Sequence, residues 1–245
     1  MGKSPTRVVA IALDGICVEG LKKANTPNID KLMAEGVVSW QTRNVMPSVT
    51  LPNWTSHLTG SGPEQHGVTD NKWTKEKHIL PPIDKDNDGY YPSVFEVLKT
   101  KIKDIKIAFY YNWTPLVYPY NKKYIDELVF LEEEEYIPYY NEAFDFIVKN
   151  KKYPTFVFLY TVHTDTAGHK YGWMSDKYIN SIEEADIHIG ELIDKMKEKD
   201  LYEDTHFLFL TDHGGIKKSH GGVTPNEMIV PWSINGPKIK KKVWK

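Results

Sequence analysis

Cysteine is almost missing from this sequence: Cys17 is the only one in 245 residues. A single thiol excludes an internal disulfide and any metal site built from several cysteines, and Cys17 reads as a small buried side chain beside the first strand. An excess of either charge is also lacking. The net charge of −2 gives no electrostatic ground for a nucleic-acid polymer or a membrane surface as partner. No apolar run approaches the roughly 20 residues that span a bilayer. Met1 to Arg7 has no apolar core of signal-peptide type. The expected compartment is therefore cytoplasmic, or periplasmic or extracellular where a leader has been replaced by a short start. Linkers, repeats and low-complexity segments are missing too, which leaves one compact domain over residues 1–245, a length that suits one sizeable α/β core.

What is present is an alternation of short β-branched runs and helical segments. Val8 to Leu13, Ile105 to Tyr111, Phe156 to Val162 and Thr205 to Thr211 read as strands. Asn25 to Glu35 reads as a helix, with Pro27 at its first turn and Gly36 at its exit. Ser93-Val-Phe-Glu96 has the form of a capping box opening a helix through about Lys101. A long helix is expected from about Asp176 to Lys199, because Tyr178, Ile182, Ala185, Ile189, Leu192 and Met196 fall in steps of four and three. Glu132 to Glu135 reads as the solvated first turn of a helix running towards Lys149. Strands alternating with helices imply a mostly parallel sheet covered on both faces.

Three of these strands end in or just before an aspartate: Asp14, Asp165 and Asp212. Parallel strands would carry all three carboxylates to one edge of the sheet, where open α/β sheets bind ligands. Three such charges brought together call for a cation. His169 follows Asp165 by four residues, His213 adjoins Asp212, and His220 lies a little further on. Carboxylate oxygen with imidazole nitrogen suits zinc, with manganese or iron also compatible. Six ligands exceed one four-coordinate site and fit two, and a metal pair roughly 3.5–4 Å apart is a device for in-line displacement at phosphorus. Singly, each Asp serves as well as a helix cap or turn former; the combination carries the signal.

Met46 to Gly60 joins an extended, proline-marked stretch to a short helix expected from near Pro52. Thr50 would sit before the helical amides, which favour an anion. Ser48, Thr55, Ser56 and Thr59 are rival hydroxyls, and spacing alone does not choose among them. Thr50-Leu-Pro-Asn53, Leu58-Thr-Gly60, Pro63-Glu-Gln-His-Gly67 and Asp70-Asn71 resemble the type I phosphodiesterase/nucleotide pyrophosphatase family of the alkaline phosphatase superfamily. Asp165-Thr-Ala-Gly-His169, Thr211-Asp-His-Gly-Gly215, His220-Gly-Gly222 and Pro231-Trp232 continue the resemblance, in order, over nearly the whole chain.

The resemblance implies an alkaline-phosphatase-like three-layer sandwich with a mostly parallel central sheet. It implies two zinc ions, one served by Asp14, Thr50, Asp212 and His213 and the other by Asp165, His169 and His220. Thr50 would be the nucleophile, passing through a phosphothreonine, and Asn71 would donate its amide N–H to a nonbridging phosphate oxygen. The substrate would be a small phosphoester, a nucleotide among the candidates. Six residues separate His213 from His220, where larger relatives carry a long insertion.

Monoesterases of the superfamily tend to place Lys or Arg near the nonbridging oxygens, whereas Ala108 to Leu116 contains no positive charge. That favours a diester, with Tyr111, Trp113, Trp54 or Trp73 available to stack on a leaving group. Lys72, beside Asn71, is the cation that could reverse this reading. A phosphomonoesterase and a noncatalytic zinc-binding protein remain the alternatives, and the second has no need of Thr50 and Asn71. Asp84 to Gly89 has the start of a calcium loop but carries Phe95 at its twelfth position, so it reads as a polar surface loop. The basic stretch Lys238 to Lys245 reads as a solvated tail. His57, His66, His78, His163, His188 and His206 read as structural, with His66 ordering its own loop.

Overall fold

In the computed structural model, which describes residues 6–132 and 135–244, the strands form one eight-stranded sheet. They are β1 (Arg7–Leu13), β2 (Val37–Arg43), β3 (Lys106–Tyr111), β4 (Glu127–Phe130), β5 (Thr155–Thr161), β6 (Thr205–Leu210), β7 (Ile229–Asn235) and β8 (Lys242–Trp244). The helices are α1 (Val18–Lys23), α2 (Pro27–Glu35), α3 (Thr50–Thr59), α4 (Pro63–His66), α5 (Val94–Lys101), α6 (Pro138–Lys149), α7 (His163–Tyr171), α8 (Asp176–Glu198) and α9 (Pro225–Met228). The order across the sheet is β4-β3-β5-β1-β6-β7-β2-β8. The pairs from β4 to β6 are parallel, and β7 runs antiparallel to both β6 and β2.

Successive side chains of a strand point to opposite faces, and β1 divides accordingly. Val9, Ile11 and Leu13 pack with Ile29 and Leu32 of α2, Phe146 of α6 and the buried stripe of α8. Ala10 and Ala12 pack with Trp54 and Leu58 of α3 and Phe95 of α5. Helices thus cover both faces, giving three layers. All six stripe residues expected on α8 are buried. The same helix carries a buried Asp186, whose carboxylate accepts the Asn28 and Ile29 amides of α2 at 3.1 and 2.7 Å. That contact closes the first turn of α2, which has no side-chain cap from Thr26.

Several boundaries differ from expectation. Ser93 makes no capping bond, and Glu96 instead accepts the Tyr124 hydroxyl at 3.1 Å. A capping box does form at Thr224 and Glu227. Helix α3 starts at Thr50 itself rather than near Pro52. Helix α6 begins at Pro138, and of the acidic run proposed as its first turn, Glu133 and Glu134 lie outside the described residues. Cys17 caps α1, its sulfur accepting the Gly20 amide at 3.3 Å. In the polar loop at Asp84 to Gly89, Asn121 donates to Asp86 and Asp88 at 2.6 and 2.8 Å, and Lys123 pairs with Asp88. Among the described residues no helix is long and apolar enough to cross a membrane.

Candidate metal centre and nucleophile

Strand register sets the positions of the carboxylates. Leu13 lies opposite Thr161 of β5, and Ala12 opposite Leu210 of β6, so the three strands end level. Asp14 follows β1 directly and Asp212 lies two residues beyond the end of β6, and both are fully buried. Asp165 arrives differently. It is the third residue of α7, a short helix starting just after β5, and not a strand-end residue as the sequence pattern implied. His169 lies one turn further along the same helix, so the i, i+4 spacing puts it on the same face as Asp165.

The six residues fall into two groups whose ligand atoms lie within 4.8 Å of one another: Asp14, Asp212 and His213, and Asp165, His169 and His220. In the first, His213 Nε2 is 3.4 Å from Asp14 Oδ1 and 3.3 Å from Asp212 Oδ2. In the second, Asp165 lies 3.4 Å from His169 Nε2 and 3.8 Å from His220 Nε2. The His213 and His220 rings stack at 3.7 Å, which joins the groups into one centre. Nδ1 of His220 is bonded to the Ser48 carbonyl at 3.0 Å and that of His169 to the Lys218 carbonyl at 3.0 Å. Fixing Nδ1–H in this way leaves Nε2 as the lone-pair nitrogen, as a metal-binding imidazole requires.

Thr50 opens α3, and its Oγ1 is 3.3 Å from His213 Nε2. The rival hydroxyls are engaged elsewhere: Ser48 with the Gly222 carbonyl, Thr55 with that of Leu51, Thr59 with that of Thr55, and Ser56 with the His66 ring. Asn53 clamps the segment leading into the helix, accepting the Val45 amide at 2.8 Å and donating to the Pro47 and Val49 carbonyls. Asn71 is brought to the same helix end by a loop packed through Val68 and Trp73 onto Leu51. Its Oδ1 accepts the Leu51 amide at 2.8 Å, which turns the side-chain NH2 over to other acceptors. His66 Nδ1 accepts the Val68 amide at 3.1 Å at the start of that loop.

Burial shapes the electrostatics. It raises Asp14 well above the usual carboxylate range, an effect reinforced by the charge of Asp212, and it lifts Asp212 to about 7. It lowers His213, and it lowers His220 to about 3, with His213 adding to the effect. Asp14 Oδ1 and Asp212 Oδ2 are buried without a hydrogen-bond partner among the described residues, which is costly for a carboxylate unless a cation is bound. Two carboxylate oxygens, an imidazole nitrogen and a nearby hydroxyl suit a divalent metal ion.

Sequence reasoning missed the residues behind this centre. Trp54, a candidate for stacking on a leaving group, is fully buried and donates to Asp14 Oδ2 at 3.4 Å. It lies four residues after Thr50, and that helical spacing was the available signal. Tyr160 and Trp173 carried none. The Trp173 indole donates to the Gly15 carbonyl at 2.9 Å and packs against Gly168 and Gly215, where a Cβ would come within 2.7 and 2.3 Å of the ring. Trp73 and Tyr111 are also buried, and of the four aromatics proposed to stack Trp113 is the one that is half-buried. Lys72 is exposed.

A mostly parallel α/β sheet, two carboxylate-imidazole groups beyond its strand ends and a hydroxyl at a helix N-terminus make an arrangement able to hold divalent metal ions beside a hydroxyl, the class of site that metal-assisted hydrolases use. Residues 8–229 match the type I phosphodiesterase / nucleotide pyrophosphatase family, and the chain belongs to it. It is 27% identical over 217 residues to rat ectonucleotide pyrophosphatase/phosphodiesterase family member 3, covering 84% of this chain and 24% of that protein. It is 27% identical over 222 residues to bovine bis(5'-adenosyl)-triphosphatase ENPP4, covering 86% and 48%. The chain thus spans about half or less of the length of these relatives. Among solved structures, inactive murine ectonucleotide pyrophosphatase/phosphodiesterase 5 in complex with AMP superposes with a TM-score of 0.69 at 20% identity, over 86% of this chain and 57% of that one. Ps i-CgsB in complex with k-i-k-neocarrahexaose gives a TM-score of 0.73 at 19% identity, over 99% and 68%. The fold is that of the alkaline phosphatases.

Proposed function

We propose that the chain hydrolyses phosphodiester or pyrophosphate bonds with Thr50 as nucleophile, assisted by two zinc ions. The reading rests above all on the placement of Thr50 Oγ1, at the N-terminus of α3 and 3.3 Å from His213 Nε2. Asp14, Thr50, Asp212 and His213 would hold one ion, and Asp165, His169 and His220 the other. Bound zinc supplies Lewis-acid charge at the threonine and phosphoryl oxygens. Thr50 Oγ1 attacks phosphorus in line and expels the leaving group, forming a phosphothreonine, which water then hydrolyses. The positive N-terminal end of the α3 dipole and the Asn71 NH2 would face the negative charge that builds on the phosphoryl oxygens. A nucleotide substrate is supported by the named activity of ENPP4 and by the AMP bound to the murine relative. Half-buried Trp113, packed beside Leu51 and Trp73, offers the leaving group a stacking surface.

Zinc-loaded protein assayed with nitrophenyl phosphate and a nitrophenyl nucleoside diester tests this reading. The diester should be preferred, and Thr50→Ala should lower turnover by on the order of 10³-fold or more while leaving the fold and most of the metal binding intact. Near-normal turnover in Thr50→Ala would overturn the nucleophile, and preference for the monoester would direct attention to Lys72.

A further inference from the structure

Each carboxylate of the first group is divided between the protein and the centre. Gly15 donates its amide to Asp212 Oδ1 at 3.1 Å, leaving Oδ2 turned towards His213. Asp14 repeats the arrangement with side-chain donors. Its Oδ2 accepts the Tyr160 hydroxyl in a short hydrogen bond and the Trp54 indole N–H at 3.4 Å, while Oδ1 turns towards His213. Its main chain is held as well, the amide by the Thr161 carbonyl at 3.1 Å and the carbonyl by the Thr164 hydroxyl at 2.5 Å. Tyr160 lies opposite Ala12 on the neighbouring strand, fully buried, its ring edge-on to Trp54 at 5.6 Å.

We propose that Tyr160 is a positioning residue for the first metal site, its hydroxyl occupying Asp14 Oδ2 so that the carboxylate presents Oδ1 alone to the ion. The inference rests on the reading of Asp14, Asp212 and His213 as a metal site. A carboxylate free to rotate offers an ion either oxygen or both. One oxygen bonded to a buried donor removes that choice and fixes where the other points. Asp212 receives the same service from a main-chain amide, which no side-chain substitution removes, so Asp14 is where the device can be tested.

Tyr160→Phe keeps the ring and deletes the one oxygen. Metal-free wild-type and variant protein would be loaded with Zn2+ in competition with a chromophoric chelator, with circular dichroism as the check on fold. Wild-type protein should bind two ions. In Tyr160→Phe one site should weaken by about 10- to 100-fold while the other keeps its affinity. In an Asp14→Asn background the same substitution should add no further loss, since Tyr160 acts through Asp14. Two sites of wild-type affinity in Tyr160→Phe, or equal weakening of both, would overturn the proposal. If Tyr160→Phe does not fold, Trp54→Phe removes the second donor, and selective weakening of one site supports the same device while unchanged affinity of both overturns it. Wild-type protein that binds no zinc would instead sink the metal-site reading beneath it.

Discussion

Thr50 differs from the hydroxyls around it by what its oxygen faces. Ser48, Thr55 and Thr59 donate to main-chain carbonyls, whereas Thr50 Oγ1 meets an imidazole nitrogen. Composition and spacing could not make that distinction, because all five residues share one short segment. Asn71 is separated from an ordinary turn residue in the same way, by its Oδ1 bond to the Leu51 amide. Asn71→Ala should lower kcat by about 10²- to 10³-fold, the cost of losing one donor aimed at developing charge, with zinc content unchanged. Steady-state kinetics beside metal analysis checks this, and an unaltered kcat would contradict the role.

At the scale of elements, α7 is the part that the sequence concealed. His163-Thr-Asp-Thr-Ala-Gly-His-Lys-Tyr171 has no apolar stripe, and Gly168 weakens the helical signal. The helix forms because Ala167 and Gly168 pack inward, Gly168 directly on the Trp173 indole. A methyl group at Gly168 would lie 2.7 Å from that ring, so α7 would have to shift and carry Asp165 and His169 with it. Gly168→Ala should cost about 1–3 kcal/mol of stability through overpacking and weaken one zinc site more than the other. Urea unfolding and the chelator competition would show both effects, and wild-type values in each would refute the packing argument. Strands β2 and β7 were also unread. The first has a partly exposed, irregular pattern and the second contains Pro231, and each is completed by the other as an antiparallel partner.

The whole molecule buries several histidines in neutral form. His66, only 1% exposed, is lowered by burial from 6.5 to about 4, and burial lowers His57 and His163 to about 4 as well. The unfolded chain takes up these protons below pH 6.5 while the folded protein refuses them. Their contribution to stability is therefore present above pH 6.5 and is lost as pH falls towards 4. Buried Asp14 and Asp212, raised rather than lowered, act with the opposite sign in metal-free protein, so the informative quantity is the difference between two chains. His66→Gln should lose less stability than wild type between pH 7 and about pH 4, measured as urea midpoints. Parallel profiles would show that His66 is not held neutral by the fold.

Local sequence by itself determined β1, β3, β5, β6 and α8, because the strands are short, mostly apolar runs and α8 keeps an uninterrupted apolar stripe of period 3.6. It also grouped the acidic and imidazole residues as a candidate site, since residues that end parallel strands must share an edge. Tertiary structure alone decided the rest: which oxygen of Asp14 faces the centre, which of five hydroxyls meets His213, and which aromatics are core. Those choices depend on hydrogen bonds and packing between segments far apart in the chain, such as Tyr160 with Asp14 and His220 with Ser48. The distance along the chain between such partners is arbitrary, so no local pattern encodes them.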